Sequence, residues 1–277
     1  MANLHPNLRL GTSSWSNAEW PLYPQGMKPG DFLGHYSRRF SLVEVDSSFY
    51  HAPAPSLCSR WYQVVPEGFT FALKVPQTIT HEKVLEDCEK EWESFLEAVR
   101  CLKEKLGYLL VQLPYFNKSS VCPSLGDFLK RLSGFLAKAN APCPLAVEVR
   151  NKTWIGKDLL AQLAERKAIF TITEQEWMPK AAQLWEKYGP ELLTGPAAYV
   201  RLLGERKRIE AITKTWEKLV IDRTEETRRV VEVLRVIVGN LVVNVLVNNH
   251  WGGYAIASIE LLEKLWNQSP SSTQVKS

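Results

Sequence analysis

Eight short runs of β-type residues recur along this chain with helix-like segments between them: RLGTSSW, SLVEVDSSFY, FTFALKVP, GYLLVQLP, LAVEVRN, AIFTITE, AYVRLLGE and NLVVNVLVNN. Strands that alternate with helices pair in parallel through right-handed crossovers. Eight such units in 277 residues fit a closed barrel better than an open sheet, so the predicted fold is a single (β/α)8 TIM-type barrel. A doubly wound open sheet is the alternative. Its nucleotide-binding form is weakened because no strand is followed by GxGxxG or by a GxxxxGKS/T loop. No Pro/Gly-rich linker divides the chain, which predicts one domain over residues 1–267 and a disordered tail over 268–277.

The intervening segments carry helical signals. Phe32, Leu33 and Tyr36 stand at helical spacing, and Trp92, Phe95, Leu96, Val99 and Leu102 form one stripe through CEKEWESFLEAVRCLKEKL. Ser124 is placed to cap a helix that buries Phe128, Leu132 and Phe135. KDLLAQLAERK, AAQLWEKYG, ETRRVVEVLRVIV and SIELLEKLWNQ read the same way.

Composition narrows the partners. With 45% apolar residues the chain can bury a large core, and a net charge of +4 from 34 basic and 30 acidic residues falls short of a dedicated nucleic-acid binder. Five cysteines without a CxxC pair suggest neither a disulfide framework nor a zinc site. The N-terminal MANLHPNLRL lacks the apolar core of a signal peptide, and no apolar run approaches the roughly 20 residues that span a bilayer. A soluble cytoplasmic protein is expected, with no membrane partner.

Phase within the strands selects candidate site residues. In a barrel, side chains alternate between helix layer and interior, and the last inward residues of each strand open onto the C-terminal face. VEVD puts Glu44 and Asp46 opposite its valines. FALKVP singles out Lys74, VQLP Gln112, VEVR Glu148 and Arg150, YVRL Tyr199 and Arg201, and VNVLVNN Asn244 and Asn248. The carboxylates of Glu44, Asp46 and Glu148 would balance Lys74, Arg150 and Arg201, either as a packing network or as a site. On the second reading Glu44 and Glu148 exchange protons, Arg150, Arg201 and Lys74 bind an anion, and Gln112 and Asn248 orient it. Imine chemistry at Lys74 needs a depressed pKa, and three nearby carboxylates argue for a raised one.

The remaining candidates follow strands. His81 in TITHEK and His250 in NNHW are placed to act as acid or base, or to serve structure. Trp15, Trp20, Trp154 and Trp251 follow strands and could roof the mouth, whereas Trp92, Trp185, Trp216 and Trp266 read as helical core. Arg206, Lys207 and Arg208 read as a solvated loop. Neither HxH nor HExxH is present, and three cations at the mouth would oppose a divalent ion, so neither metal nor cofactor is expected. Cys58 and Cys143 have no evident base partner, and no GxSxG elbow exists.

These residues resemble the YecE-like family, the domain of unknown function numbered 72. The matching stretches are GTSSW at Gly11, Trp20 to Pro24, VEVDSSFY, FALKVPQTITH, QLP at Gln112, VEVRNKTW, YVRL at Tyr199 and NNHWGGYA. The resemblance implies a TIM-type barrel and leaves the reaction unassigned. It implies importance for Glu44, Phe49, Tyr50, Lys74, Thr80, His81, Gln112, Glu148, Arg150, Trp154, Tyr199, Arg201, Asn248 and Asn249. Three positions depart from the pattern: Leu203 stands where the family usually has histidine, Glu174 where aspartate is common, and Ser258-Ile259 where Asn-Ala closes the motif.

The leading expectation is a metal-independent enzyme, an isomerase or hydrolase, acting on a small anionic or sugar-like ligand. The alternatives are a nucleic-acid phosphoester enzyme, not favoured by the charge, and a non-catalytic binding protein. Oligomeric state is not legible in the sequence.

Overall fold

A computed structural model of the chain describes residues 4–268. Eight parallel strands close into a barrel in sequence order: β1 Leu8–Thr12, β2 Leu42–Val45, β3 Thr70–Lys74, β4 Leu106–Gln112, β5 Leu145–Glu148, β6 Ile169–Gln175, β7 Ala197–Gly204 and β8 Val242–Val247, which pairs back onto β1. Each overlaps a run read from the sequence, β1, β4, β6 and β7 extending one residue beyond it, and the fold is the TIM-type barrel expected. The expected tail lies outside the described residues apart from Gln268. Among the described residues no helix is long and apolar enough to cross a membrane.

Two apolar layers follow from the two faces of each strand. Outward residues such as Val43, Val45, Leu73, Val111, Val147 and Val200 share one buried cluster with Trp61, Phe95, Phe128, Leu159 and Leu262 of the helices. Inside the barrel, Leu42, Ala72, Tyr108, Leu110, Ala146, Ile169, Ala197, Tyr199 and Leu246 form a separate apolar plug. Two residues beyond several of these stand Glu44, Lys74, Gln112, Glu148 and Arg201, so the polar set begins where the plug ends, toward the C-terminal mouth.

The strands are not evenly joined. β1 meets β2 only at Gly11 beside Leu42 and Thr12 beside Val43, and β5 meets β6 only at Ala146 beside Ile169 and Val147 beside Phe170. By contrast, β7 and β8 run together from Ala197 beside Val242 to Leu202 beside Val247. Gly11 is required at the first narrow joint, because a Cβ there would collide with the Leu42 carbonyl.

The helices are α1 Phe32–Tyr36, α2 Pro55–Val64, α3 Glu89–Val99, α4 Leu125–Lys138, α5 Lys157–Glu165, α6 Ala181–Tyr188, α7 Arg206–Ile212, α8 Thr224–Ile237 and α9 Ala255–Trp266. Ser124 caps α4 as expected, its Oγ accepting the Asp127 N–H at 3.1 Å. The long stripe ending at Leu102 breaks: α3 stops at Val99 and a 3-10 segment, Arg100–Lys105, turns through Lys103 at φ 49°. Helix α2 was not expected, although Pro55 at its first turn and Cys58 and Trp61 on its buried side are helix signals. Helix α7 replaces the loop expected at Arg206 to Arg208, and its basic residues pair locally, Arg206 with Glu210 at 2.8 Å and Arg208 with Glu205 at 3.5 Å. Trp216 lies in the loop after α7, not in a helix.

Candidate functional site

The polar set converges on one guanidinium. Arg201, at the interior of β7, reaches Glu44 Oε1 of β2 through one terminal nitrogen at 2.6 Å and Glu148 Oε2 of β5 through the other at 2.7 Å. Glu44 Oε2 accepts the Tyr199 hydroxyl at 2.8 Å, and Glu148 Oε1 stands 2.5 Å from Arg150. Both carboxylates are fully buried, as is Tyr199. Burial alone would push the Glu148 carboxyl up, but Arg150 and Arg201 outweigh it and hold it below the usual carboxylate range. The fork of Arg201 is therefore filled by protein carboxylates rather than left open for a ligand anion. Glu44 and Glu148 are its counterions, and Glu148 Oε1, beside Arg150, is buried without a hydrogen-bond partner among the described residues. Arg150 is nearer the rim, 13% exposed, and it also donates to the Gln175 side chain.

Above this layer lies a second set: Asp46, Lys74 and His81. β2 ends at Val45, so Asp46 opens the following turn. Its Oδ1 is enclosed without a hydrogen-bond partner among the described residues, 3.6 Å from Arg201 and 3.9 Å from Lys74, while about a third of the side chain stays exposed. Burial and the Glu44 charge push its carboxyl up to about 6 against the pull of Arg201 and Lys74. Lys74 ends β3 with its ammonium 4.1 Å from the Phe49 ring centroid. The sequence argued for a raised Lys74 pKa; the structure lowers it, because burial and Arg201 outweigh Asp46, Glu148 and Glu44.

His81 sits in a π-helical turn, Thr78–Glu82, edge-on to Phe49 at 4.8 Å. Such turns are rare and recur at functional sites. The turn runs into Val84, Leu85 and Asp87, all at positive φ, a strained backbone that persists because buried Val84 and Leu85 anchor it. Burial, Lys74 and Arg150 push the His81 imidazole down to about 4. Thr80 Oγ1 stands 3.1 Å from the Pro76 carbonyl and 2.9 Å from His81 Nδ1. With the hydroxyl proton on Pro76, Nδ1 carries the ring proton and Nε2 is the free base; with it on Nδ1, the ring proton sits on Nε2.

A cleft of about 210 Å³ opens beside Asp46, between the loops after β1 and β8. Ser13, Ser14, Asn17, Trp20, Trp216, Asn248, Asn249 and His250 line it with Asp46. Ser13 Oγ and Trp20 Nε1 are buried without partners among the described residues. Asn248 Oδ1 accepts both the backbone N–H of His250 at 3.0 Å and its Nδ1 at 2.6 Å, and Asn249 Oδ1 accepts the Ala255 N–H at the start of α9. His250 Nε2 faces Glu210 at 3.2 Å, and the Trp216 ring lies 5.0 Å away. A larger groove of about 630 Å³ lies between α3 and α4, lined by Trp92, Arg131 and Phe135 and by none of the mouth residues.

Most other candidates lie outside this cleft. Trp154 is stacked on Phe116 and Phe128, Trp15 meets Trp61 edge-on at 5.3 Å, and Trp251 donates to Thr227. Trp20 alone of the expected roof lines the cleft, and Trp216, read as core, joins it. Gln112 is buried and donates to the Leu113 carbonyl at 2.5 Å, and Asn244 donates to Ala198 deep in the barrel. Tyr50 is 63% exposed against Phe49. Glu174 faces the helix layer, where Oε1 accepts the Ala181 N–H at the start of α6. Burial pushes the Cys58 and Cys143 thiols up to about 12, far from nucleophilic thiolate. Among the described residues no group of three or more His, Cys, Asp or Glu side chains is arranged to hold a metal.

Comparison with known proteins agrees with this architecture. A family model described as "Protein of unknown function DUF72" matches residues 9–277. The UPF0759 protein YecE of Escherichia coli K12 is 30% identical over 126 residues, 45% of this chain and 44% of that protein, so the chain matches less than half of the relative's length. The crystal structure of a DUF72 protein from Thermotoga maritima superposes with a TM-score of 0.73 at 23% identity over 94% of this chain and 99% of that one. A D-psicose 3-epimerase superposes with a TM-score of 0.55 at 13% identity over 93% and 96%. At these identities the two solved structures speak to the fold alone.

Proposed function

Because the chain belongs to the DUF72 family, whose description assigns no reaction, we propose a function from the site: a metal-independent enzyme acting on a small anionic or sugar-like molecule at the C-terminal mouth. The carrying observation is Asp46, a carboxyl on the wall of the cleft with one enclosed, unpartnered oxygen and a pKa near the working range of an acid or base. The proton-exchanging roles expected for Glu44 and Glu148 pass to Asp46 and His81, since the two glutamates are locked against Arg201. Arg150 at the rim supplies positive charge for an anionic group. Ser13, Trp20 and Asn248 offer polar groups to hydroxyls in the cleft.

The test is a thermal-shift screen of the purified protein against sugar phosphates, sugar acids, nucleotides and short oligonucleotides, each with EDTA and with divalent metals. A ligand at a hundred times its Kd stabilises the native state by about 2.7 kcal/mol. A small anion or sugar that shifts the midpoint equally with EDTA, and less in Arg150→Gln, supports the reading. A shift that requires metal or appears only with oligonucleotides replaces it with a phosphoester enzyme.

A further inference from the structure

We propose that Lys74 is a covalent nucleophile, forming an imine with a small carbonyl compound that carries an anionic group, such as a 2-oxo acid or an open-chain sugar phosphate. The proposal rests on the mouth being the substrate site and adds the class of substrate that enters it.

The geometry distinguishes Lys74 from a structural lysine. Buried Lys105 shows what the latter looks like here: its Nζ donates to the Tyr62 and Val65 carbonyls at 2.7 and 2.8 Å. Lys74 is 14% exposed, yet its nearest carboxylate oxygen, on Asp46, is 3.9 Å away, beyond hydrogen-bond range. Its nitrogen rests against the Phe49 face instead. Its backbone is held firmly, because Ser48 Oγ lies 2.7 Å from both the Lys74 and Val45 carbonyls, tying the ends of β3 and β2 together. The amine is therefore positioned without being consumed by a partner. Burial, by disfavouring the ammonium, raises the fraction of free amine at neutral pH.

The neighbours supply the proton transfers that imine formation requires. The Nζ lone pair forms a bond to the carbonyl carbon as the C=O π pair moves to oxygen, which takes a proton from the Asp46 carboxyl. Nitrogen then gives up a proton to the Asp46 carboxylate. That proton returns to the hydroxyl as the C–O bond breaks, and water leaves as the nitrogen pair closes the C=N bond. Amine, carbonyl and one proton have become iminium and water, with no oxidant or reductant. The iminium acidifies the adjacent C–H, and the imidazole of His81, packed edge-on to the same Phe49 ring that Lys74 meets, is the base assigned to remove that proton.

The experiment uses the full chain with pyruvate, dihydroxyacetone phosphate and ribose 5-phosphate as probes at pH 6.5, where surface lysines are protonated. Sodium cyanoborohydride reduces any iminium to a stable secondary amine, and intact mass and peptide mapping locate it. The expected result is a single adduct per chain on Lys74 with at least one probe, absent in Lys74→Arg. Probes that stabilise the protein thermally but leave Lys74 unlabelled overturn the nucleophile and spare the site reading. Adducts spread over surface lysines, with Lys74 no richer than the rest, overturn it too. Failure of all three probes both to bind and to label overturns the nucleophile and, together with a blank thermal screen, the site reading as well.

Discussion

The guanidinium of Arg201 stands 2.7 Å from Glu148 across the barrel interior, while its other terminal nitrogen holds Glu44 at 2.6 Å. Removing this one cation would leave two fully buried carboxylates without their shared counterion. Arg201→Met is expected to destabilise the fold by about 3–5 kcal/mol, the cost of stranding a partner in a buried ion pair. Adding Glu44→Gln and Glu148→Gln to the same chain should recover a large part. Urea unfolding midpoints decide it, and a loss below about 1 kcal/mol in Arg201→Met would contradict the cluster's structural role.

Asp46 governs how the mouth responds to pH. Its folded pKa is raised to about 6, so it is protonated below that value and gains a negative charge as pH climbs through it. The positive charge of the mouth is then partly neutralised, and affinity for a small anion such as sulfate should fall between pH 5 and pH 7. A charge about 4 Å away in water is worth about 1 kcal/mol, on the order of fivefold in Kd. Calorimetric titration across this range should show the fall in the native protein and a flat profile in Asp46→Asn.

His81 is expected to be a neutral ring at pH 6, because burial and the Lys74 and Arg150 charges push the imidazolium form down to about 4. Long-range proton–nitrogen spectra of 15N-histidine-labelled protein report the tautomer. In Thr80→Val, which removes the hydroxyl beside Nδ1, the preference should shift toward the other tautomer. An imidazolium signal for His81 at pH 6 in the native chain would rule this arrangement out.

Gly204 ends β7 at φ +69°, and a Cβ there would run into the carbonyl of His250. Gly204→Ala therefore combines a left-handed backbone penalty with displacement of the loop that carries Asn248 and His250, and should cost about 2–4 kcal/mol. Gly239→Ala, where a methyl meets open space, is the control and should change little. Thermal midpoints of the two variants make the comparison.

The sequence carried the interior of the barrel well, because alternation has a fixed period of two and charged residues inside a barrel are visible against valine. Glu44, Lys74, Gln112, Glu148, Tyr199 and Arg201 all take the faces that phase assigned. What phase does not contain is the distance across the barrel. Tilt and stagger decide that Arg201 lies between Glu44 and Glu148, so the residues read as proton donors share a cation whose place phase could not give. Asp46 was visible beside Glu44, but its separation into the rim depends on β2 ending at Val45. Trp216 and His250 meet through two loops 34 positions apart, and Trp154 packs on Phe116 and Phe128; loop paths of that kind have no periodic signature.

The two narrow joints divide the barrel into half-shells, β2 to β5 and β6 through β8 to β1. Arg201 belongs to the second, and its two carboxylate partners belong to the first, each on the strand that borders one joint. One guanidinium thus rivets both joints. Asp46 stands 3.6 Å from the same guanidinium, so a proton gained or lost at the mouth acts directly on the one side chain that spans both half-shells.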